Sequence, residues 1–400
     1  MKALVVGAGA QGGPCASILS RDAETTGVVL ADIDSGMLKQ VEQRIGSSKI
    51  STIKADASKV NEIAAAGRGC DLVLDFMPPW LALNVMKAAL EIGANYVNTA
   101  FDQPFWTQQV AGEPLELDAD FKKSNLTALL GCGVTPGLLN VMVRHYTDRL
   151  DTVNSIRLRV GGRNINQGPY DHMFKPWNPG WSPKQALIDC AEPPHVFSKA
   201  NYSQLEPYSE LEDWEFPEPI GKILVSHHSH EEVYSLPRTI GKGITYCDFK
   251  YEVSYQPAVL VTLGLASREP LELNGVKVKP IDLVTKLLPR PGNMFIEETE
   301  QEADEASKDS YFSMMFCIEG EKNGSRVEYK VNCPKFDNSG AELFNLFGTA
   351  VVYVALPAVI GGQMISSGGP RGIIFPEQLD PNKFLGGLRR LGVNFNWEEL

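Results

Sequence analysis

The N-terminal segment constrains the fold more than any other part of the chain. The apolar run Ala3–Val6 has the length and β-branched content of a buried parallel strand. It leads directly into Gly7-x-Gly9-x-x-Gly12, and about twenty residues later a second apolar run, Val28–Ala31, ends on Asp32. This order of strand, glycine turn, helix, strand and acid predicts a dinucleotide-binding fold.

The glycine turn and the acid predict which dinucleotide binds. In this motif the first glycine makes the tight turn, the second admits the pyrophosphate to the backbone, and the third lets the helix pack on the strand. Asp32 can accept hydrogen bonds from a ribose and would repel a 2′-phosphate, and residues Ile33–Gly36 contain no Arg or Lys. We therefore predict NAD rather than NADP. The alternative is an ordinary glycine-rich turn before a helix.

Composition and cysteine usage exclude several classes of protein. The net charge of −12 argues against binding to nucleic acid or to anionic membranes. The seven cysteines form no CxxC pair, which indicates reduced thiols rather than disulfides or structural zinc. There is no apolar stretch long enough to span a membrane, and the chain begins with a core strand, so we expect a soluble cytoplasmic protein without a signal peptide.

The pattern of elements predicts two domains in 400 residues. Alternating strands and helices over residues 1–131 predict an α/β Rossmann domain, a doubly wound parallel sheet. The period-two alternation from Val153 introduces an α+β domain over residues 132–339 with a mainly antiparallel sheet, for substrate binding and dimerisation. Helices within residues 340–400, with a break at Pro357, are expected to complete the Rossmann domain.

Ligands of a doubly wound sheet bind beyond the carboxyl ends of its strands. That rule selects the residues after the fourth, fifth and sixth predicted strands, the last being the small-residue stretch Gly131–Asn140. The predicted cofactor-binding residues are Gly7, Gly9, Ala10, Gln11, Gly12, Asp32, Ile33, Asp56, Met77, Pro78, Asn98, Thr99, Gly133, Val134, Pro136 and Asn140.

The stretch Gly131-Cys-Gly-Val-Thr-Pro-Gly-Leu-Leu-Asn140 resembles the strand–turn–helix motif of the saccharopine dehydrogenase-like family. Further segments resemble that family in the same order: Trp181-Ser-Pro183, Glu215-Phe-Pro217 with Gly221-Lys222, Ser235-Leu-Pro-Arg-Thr239, Phe375-Pro-Glu377 and Phe384-Leu385. The resemblance implies hydride transfer between nicotinamide and a carbon–nitrogen bond of an amino-acid-derived amine or imine, as in saccharopine reductases and lysine 6-dehydrogenases. It also implies a homodimer.

The most unusual polar cluster is His227-His-Ser-His-Glu-Glu232, which holds three of the six histidines. On a strand, His228 and His230 would share one face. Their imidazoles suit acid–base work on an imine. A metal site and a polar surface loop are the alternatives, but no zinc pattern is present and we predict no metal.

Two further side chains complete the predicted site between the domains. Arg238 is suited to grip a substrate carboxylate with two parallel hydrogen bonds, although a structural salt bridge is equally compatible with it. Asp102 follows a strand end, where it can hold an ammonium or relay a proton, or simply cap a turn. With His228 and His230 they form the predicted catalytic set. A non-catalytic NAD-binding redox sensor or scaffold is the rival hypothesis, and a charged rather than apolar cleft would separate the two.

Overall fold

The computed structural model describes residues 1–102, 104–166, 176–179, 181–288 and 294–400. The predicted α/β fold is confirmed, because the chain forms one parallel sheet flanked by helices and a second, mixed sheet. Within the described ranges, no helix combines the length and apolarity that a membrane span requires.

The first sheet begins at the N-terminus and contains seven parallel strands. Six of them are β1 (Lys2–Val6), β2 (Gly27–Asp32), β3 (Ile50–Lys54), β4 (Leu72–Asp75), β5 (Asn95–Asn98) and β6 (Thr127–Leu129). They alternate with α1 (Gly12–Arg21), α2 (Ser35–Ile45), α3 (Val60–Ala66), α4 (Ala82–Ile92), α5 (Phe105–Ala111), α6 (Asp118–Lys123) and α7 (Leu138–Thr147). The order β6-β5-β4-β1-β2-β3 is the doubly wound arrangement, which opens a crevice where the strand order reverses beside β1.

The second sheet is built from the middle of the chain. Its first strands are β7 (Thr152–Asn164), β8 (His195–Ser198), β9 (Asn201–Gln204), β10 (Glu212–Glu215), β11 (Lys222–His227) and β12 (Tyr246–Glu252). The helices between them are α8 (Pro183–Ala191) and α9 (Glu232–Ile240). All its pairings are antiparallel except β7 with β12, so the sheet is mixed rather than purely antiparallel.

A helical segment and a long hairpin follow. The segment contains α10 (Tyr255–Thr262), a small hairpin of β13 (Leu271–Leu273) and β14 (Val276–Val278), α11 (Pro280–Leu287), α12 (Met294–Glu297) and α13 (Glu300–Lys308). The hairpin of β15 (Ser310–Lys322) and β16 (Ser325–Pro334) then joins the second sheet beside β7.

The C-terminal residues return to the parallel sheet. They form α14 (Gly340–Phe347), α15 (Ala355–Ser366), β17 (Gly372–Ile374), α16 (Pro381–Arg390) and β18 (Glu398–Glu399). β17 is the seventh parallel strand, paired with β6, while β18 pairs with β16 in the second sheet. Pro357 was expected to interrupt one helix but lies in the first turn of α15, where a proline costs little. The predicted domain boundaries stay predictions.

Candidate active site

The glycine turn between β1 and α1 leaves room for a ligand at Gly9 but leaves no room for a side chain at Gly12. A side chain at Gly12 would overlap the carbonyl oxygen of Gly7, so only glycine lets α1 pack this closely. Gly9 has no atom within 4 Å of where its Cβ would be, outside its chain neighbours, and faces open space. Gly7 has a φ of +95°, and the Met77 sulfur lies 3.1 Å from its would-be Cβ. This brings the β4 end beside the turn.

The acid at the end of β2 is tied to the same turn. Asp32 accepts hydrogen bonds from the backbone N–H of Ala8 at 2.7 Å and from that of Asp34 at 2.8 Å. Ile33 beside it is 59 % exposed. Asp56 follows β3 at the same edge of the sheet, where its carboxylate accepts bonds from the N–H and hydroxyl of Ser58. The Asp56 side chain therefore organises its own turn.

The turn fits a dinucleotide. The side-chain oxygen of Gln11 is buried, and among the described residues it has no hydrogen-bond partner. The open space over Gly9 adjoins the N-terminus of α1, where the first backbone amides of a helix lack partners within the helix. A pyrophosphate placed there meets backbone donors without a side chain in its way. When bound, the dinucleotide would supply or accept a hydride at its nicotinamide.

The ends of β5 and β6 form the opposite wall of the crevice. Asn98 ties them together: its side-chain oxygen accepts from the N–H of Gly131 at 2.8 Å, and its backbone carbonyl accepts from Cys132. Thr99 lies beside Gly133, which is in turn bonded to the carbonyl of Pro136. These residues, with half-buried Val134 and Pro78, keep small groups at the edge where a nicotinamide would lie.

Asn140 is held by protein partners at both ends of its side chain. Its oxygen accepts from the N–H of Gly137, and its nitrogen donates to Glu377 at 2.9 Å. Glu377 is fully buried and also accepts from the Thr239 hydroxyl, which joins α7, the C-terminal segment and α9. The Asn140 side chain therefore links elements of the fold, and its role as a cofactor ligand stays a prediction.

The histidine cluster spans the end of β11 and the turn into α9. His227 lies on one face of the sheet, 3.0 Å from Glu210. His228 and His230 share the other face, with ring centroids 6.1 Å apart, against Tyr251 and Phe249 of β12. The cluster is therefore not a polar surface loop, since all three histidines are buried or half-buried.

Two glutamates at the start of α9 connect this turn to the parallel sheet. Glu232 accepts hydrogen bonds from Nδ1 of His230 and from the Thr135 hydroxyl, each at 2.5 Å. Glu231 accepts from the backbone N–H of Phe101 at 3.1 Å. Phe101 follows β5 and Thr135 follows β6, so the pair bridges both sheets at the crevice.

Two aspartates extend this group. Asp189 of α8 interacts electrostatically with His230, Glu231 and Asp102. Asp102 follows β5, and its Oδ1 is buried with no hydrogen-bond partner in the described part of the chain. We refer to Asp102, Asp189, Glu231 and Glu232 as the carboxylate cluster. Once its carboxyls are ionised, it carries more negative charge than its histidines can offset, which suits a cationic ligand.

Burial perturbs the proton affinities of the cluster strongly. Burial raises the pKa of Asp102 to about 6, that of Asp189 to about 7 and that of Glu231 to about 8. Burial lowers the pKa of His228 to about 3. Burial also disfavours the charged form of His230, but the surrounding carboxylates outweigh it and raise that pKa to about 9. Groups displaced from their ordinary values in opposite directions within one crevice are typical of catalytic sites.

Arg238 does not lie in this cluster. It is exposed, with its guanidinium 5.6 Å from the centre of the Tyr202 ring and close to Gly112 at the end of α5. The expectation that it lies beside His228 and His230 is therefore corrected, because Arg238 lies six positions after Glu232 in α9, where its side chain is at the surface. Arg268 is the cation that acts on Asp102, and it is paired with Glu192 at 2.7 Å.

The sequence interpretation missed Glu231, Glu232, Asp189, Thr135 and Arg268 as site residues. A signal existed for the two glutamates, since two adjacent acids directly follow the histidines. The ligand atoms of His230, Glu231 and Glu232 lie within 4.8 Å of one another, the spacing of a metal site. However, Nδ1 of His230 and both oxygens of Glu232 are already hydrogen-bonded within the protein.

Comparison with known protein families accounts for almost the whole chain. Residues 3–129 match the saccharopine dehydrogenase NADP binding domain, and residues 133–393 match the saccharopine dehydrogenase C-terminal domain. The carboxyaminopropylagmatine dehydrogenase of Synechocystis is 25% identical to this chain, and the carboxynorspermidine synthase of Vibrio alginolyticus is 24% identical. Each alignment covers 100% of this chain and 97% of the relative.

Solved structures share the fold at lower identity. Saccharopine dehydrogenase (L-Glu forming) from Saccharomyces cerevisiae superimposes with a TM-score of 0.68 at 13% identity, covering 100% of this chain and 99% of that one. The homospermidine synthase of Legionella pneumophila, solved with NAD, gives 0.65 at 15% identity and covers 100% and 91%. These similarities establish the two-sheet architecture.

Proposed function

The chain belongs to the saccharopine dehydrogenase family, and from this premise we propose that it is an NAD-dependent dehydrogenase of a cationic, amino-acid-derived secondary amine. The reaction joins two compounds or separates them again. The first is an aldehyde that itself carries a carboxylate and an amino group, and the second is a primary amine with a further positive charge. Hydride transfer at the carbon–nitrogen bond accomplishes this exchange.

The carboxylate cluster carries the proposal. Four carboxylates around one imidazole, at the ends of β5 and β6, stabilise ammonium or guanidinium groups by charge-assisted hydrogen bonds. A substrate dominated by carboxylates would be repelled there. The names of the two relatives describe a carboxylated agmatine and a carboxylated norspermidine, both polycationic amines. The charged cluster also favours an enzyme over a non-catalytic sensor.

The protein groups have separable tasks in this proposal. Asp189 and Glu231 hold the distal cationic group, and Asp102 binds the nitrogen next to the reacting carbon. Arg268, beside Asp102, binds the substrate carboxylate in the way first expected of Arg238. His230 exchanges the proton that forming or breaking the carbon–nitrogen bond requires. The glycine turn, Asp32 and the residues after β4 to β6 would hold the dinucleotide.

The preference for NAD rests on Asp32. Its carboxylate is fixed by two backbone amides at the end of β2, so a 2′-phosphate would meet a charge that cannot turn away. Both the homodimer and the cytoplasmic location remain proposals. For the dimer we propose contact through the outer face of the second sheet, where Arg157, Glu319 and Arg326 form ion pairs in partly exposed positions.

A substrate panel tests the proposal. We expect the purified protein to reduce NAD with a carboxylated polyamine and to show at least tenfold lower kcat/KM with saccharopine, whose extra carboxylate would face the cluster. The reverse reaction, an amino-acid semialdehyde plus a diamine or agmatine with NADH, should consume NADH only when both are present. Equal or higher efficiency with saccharopine would contradict the cationic substrate class.

A matched pair of variants links the activity to the cluster. Asp189→Asn should lower kcat/KM for the polyamine at pH 8 by about tenfold, the effect of one lost charged hydrogen bond. Glu305→Gln removes one negative charge from the exposed face of α13 and should leave kcat/KM unchanged. If both variants change kcat/KM by the same factor, the change comes from the overall charge of the protein and the cluster does not bind the substrate.

A further inference from the structure

Glu232 occupies an unusual place in the crevice. It is the first residue of α9 and is fully buried, yet it bonds to residues of both sheets. Oε1 accepts the Thr135 hydroxyl from the turn after β6, and Oε2 accepts Nδ1 of His230 from the turn after β11. A buried carboxylate with two donors in fixed positions has little freedom to rotate. The Glu232 carboxylate is thus fixed and can hold a neighbouring side chain in one orientation.

What it holds is the imidazole of His230. That ring stacks on Phe249 with centroids 4.0 Å apart and planes 3° from parallel, which fixes the plane of the ring. The bond from Nδ1 to Glu232 fixes the remaining rotation within that plane. When one imidazole nitrogen is committed to a carboxylate, the other becomes the atom available for proton exchange.

We propose that Glu232 is a positioning residue, which locks His230 with Nδ1 bonded to its carboxylate and leaves Nε2 as the atom that exchanges the substrate proton. The catalytic part of this inference rests on the proposed function, whereas the orientation and tautomer of His230 do not. It differs from a general structural role because it specifies which nitrogen carries the proton in the neutral ring.

The proton step balances as follows in the reductive direction. Aldehyde and amine first combine to a carbinolamine. Nε2 of His230 gives its proton to the hydroxyl oxygen, the carbon–oxygen bond breaks, and water leaves while the nitrogen lone pair completes the carbon–nitrogen double bond. His230 is left neutral with its Nδ1 proton still donated to Glu232, and solvent returns the proton to Nε2.

The surroundings of His230 favour its protonated form. Glu231 and Glu232 face it from α9, and Asp189 faces it from α8. From the preceding turn comes His228, whose pKa of about 3 leaves its ring uncharged, and β12 contributes the uncharged rings of Phe249 and Tyr251. Burial disfavours the imidazolium, but the three carboxylates outweigh it and raise the pKa of His230 to about 9. The ring is therefore charged at neutral pH and can act as an acid.

NMR titration of protein labelled at the histidine rings tests the assignment without substrate or cofactor. We expect the wild-type His230 signal, identified by its loss in His230→Gln, to titrate above the ordinary pKa of about 6.5. In the neutral ring the nitrogen shifts should place the proton on Nδ1. Glu232→Gln should lower the pKa by at least one unit, and Glu232→Asp should restore most of it.

Glu231→Gln is the matched control, because it removes a carboxylate at a similar position without touching the Nδ1 bond. It should lower the His230 pKa partly and leave the proton on Nδ1. A wild-type His230 that carries its neutral proton on Nε2, or that titrates identically in wild type and Glu232→Gln, would overturn the inference. Since the wild type alone decides the tautomer, poor folding of a variant leaves the test intact.

The kinetic readout is separate. With the true substrate, Glu232→Gln should reduce kcat at least tenfold with little change in KM, and the limb of the kcat profile set by His230 should move to lower pH. If His230 titrates as expected but the protein is inactive on polyamines, the proposed function alone is refuted. Altered KM with an unmoved pH limb would refute the positioning role alone.

Discussion

The Asp32 carboxylate accepts a hydrogen bond from the backbone N–H of Ala8 at 2.7 Å, so the acid at the end of β2 stabilises the glycine turn between β1 and α1. The same carboxylate is the one proposed to select the adenosine ribose. Cofactor specificity and the geometry of the phosphate-binding turn are therefore coupled through a single side chain.

Replacing that acid should change specificity. In Asp32→Ser, the negative charge that would repel a 2′-phosphate is gone, so the ratio of NAD to NADP affinity should fall at least tenfold, as measured by dissociation constants for both nucleotides. The Asp34 side chain caps α2 by accepting hydrogen bonds from the N–H groups of Gly36 and Met37. Asp34→Ala removes this cap and should cost about 1 kcal/mol of stability without altering the ratio of NAD to NADP affinity. An unchanged ratio in Asp32→Ser would contradict the NAD assignment.

Two arginines distinguish the sequence hypothesis from the structural one. Arg268 lies near Asp102, whereas Arg238 is exposed over Tyr202. Arg268→Ala should raise KM for a carboxylated polyamine by about ten- to a hundredfold, the loss of a charged hydrogen bond, with NAD affinity unchanged. Arg238→Ala should change KM less than about threefold, as expected for an exposed group. The reverse pattern in steady-state kinetics would restore Arg238 as the carboxylate ligand.

Substrate binding should strengthen as pH rises through neutrality. Burial raises the pKa of Asp189 to about 7, so this carboxyl is neutral in acid and gains its charge between pH 6 and 8. The KM for a polyamine should fall across that interval, and in Asp189→Asn the fall should be shallower, as a pH series of kcat/KM would reveal. A KM that rises over this range would contradict a role for the cluster in binding cations.

The same group makes a linked prediction for stability. A carboxyl whose pKa is raised on folding binds protons more tightly in the folded state, so its contribution is present below about pH 4 and is lost as pH rises through about 7. Chemical unfolding of the wild type should show this loss, and Asp189→Asn should flatten it. Parallel curves for the two proteins would indicate that Asp189 titrates normally.

Two glycines test the packing of the nucleotide turn. Gly12→Ala places a Cβ on the Gly7 carbonyl oxygen and should abolish NAD binding or prevent folding. Gly386→Ala is the matched substitution in α16, where nothing lies within 4 Å of the would-be Cβ. It should increase stability by about 0.5–1 kcal/mol, because alanine loses less conformational freedom in a helix. Thermal unfolding and NAD titration would measure both, and normal NAD affinity in Gly12→Ala would refute the close approach.

Local patterns predicted the parallel sheet well. The apolar runs at Ala3–Val6 and Val28–Ala31 lie inside β1 and β2, because each signal is contained in a few consecutive residues. His228 and His230 do lie near each other, but not as strand residues, because β11 ends at His227 and both lie in the turn that follows. The helix around Pro357 was less predictable, since two helices with a shared apolar character look continuous in sequence.

The sequence by itself determined the dinucleotide turn, the acid after β2 and the two kinds of sheet, because glycine sterics and hydrophobic periodicity act over short distances. Only the tertiary structure decided which charges meet. Asp102, Asp189 and Glu232 are far apart in the chain and come together where the ends of β5 and β6 face α8 and α9. Arg238 is six residues from Glu232 but lies at the surface. Electrostatic interaction depends on distance in space and on burial, and neither is encoded in sequence separation.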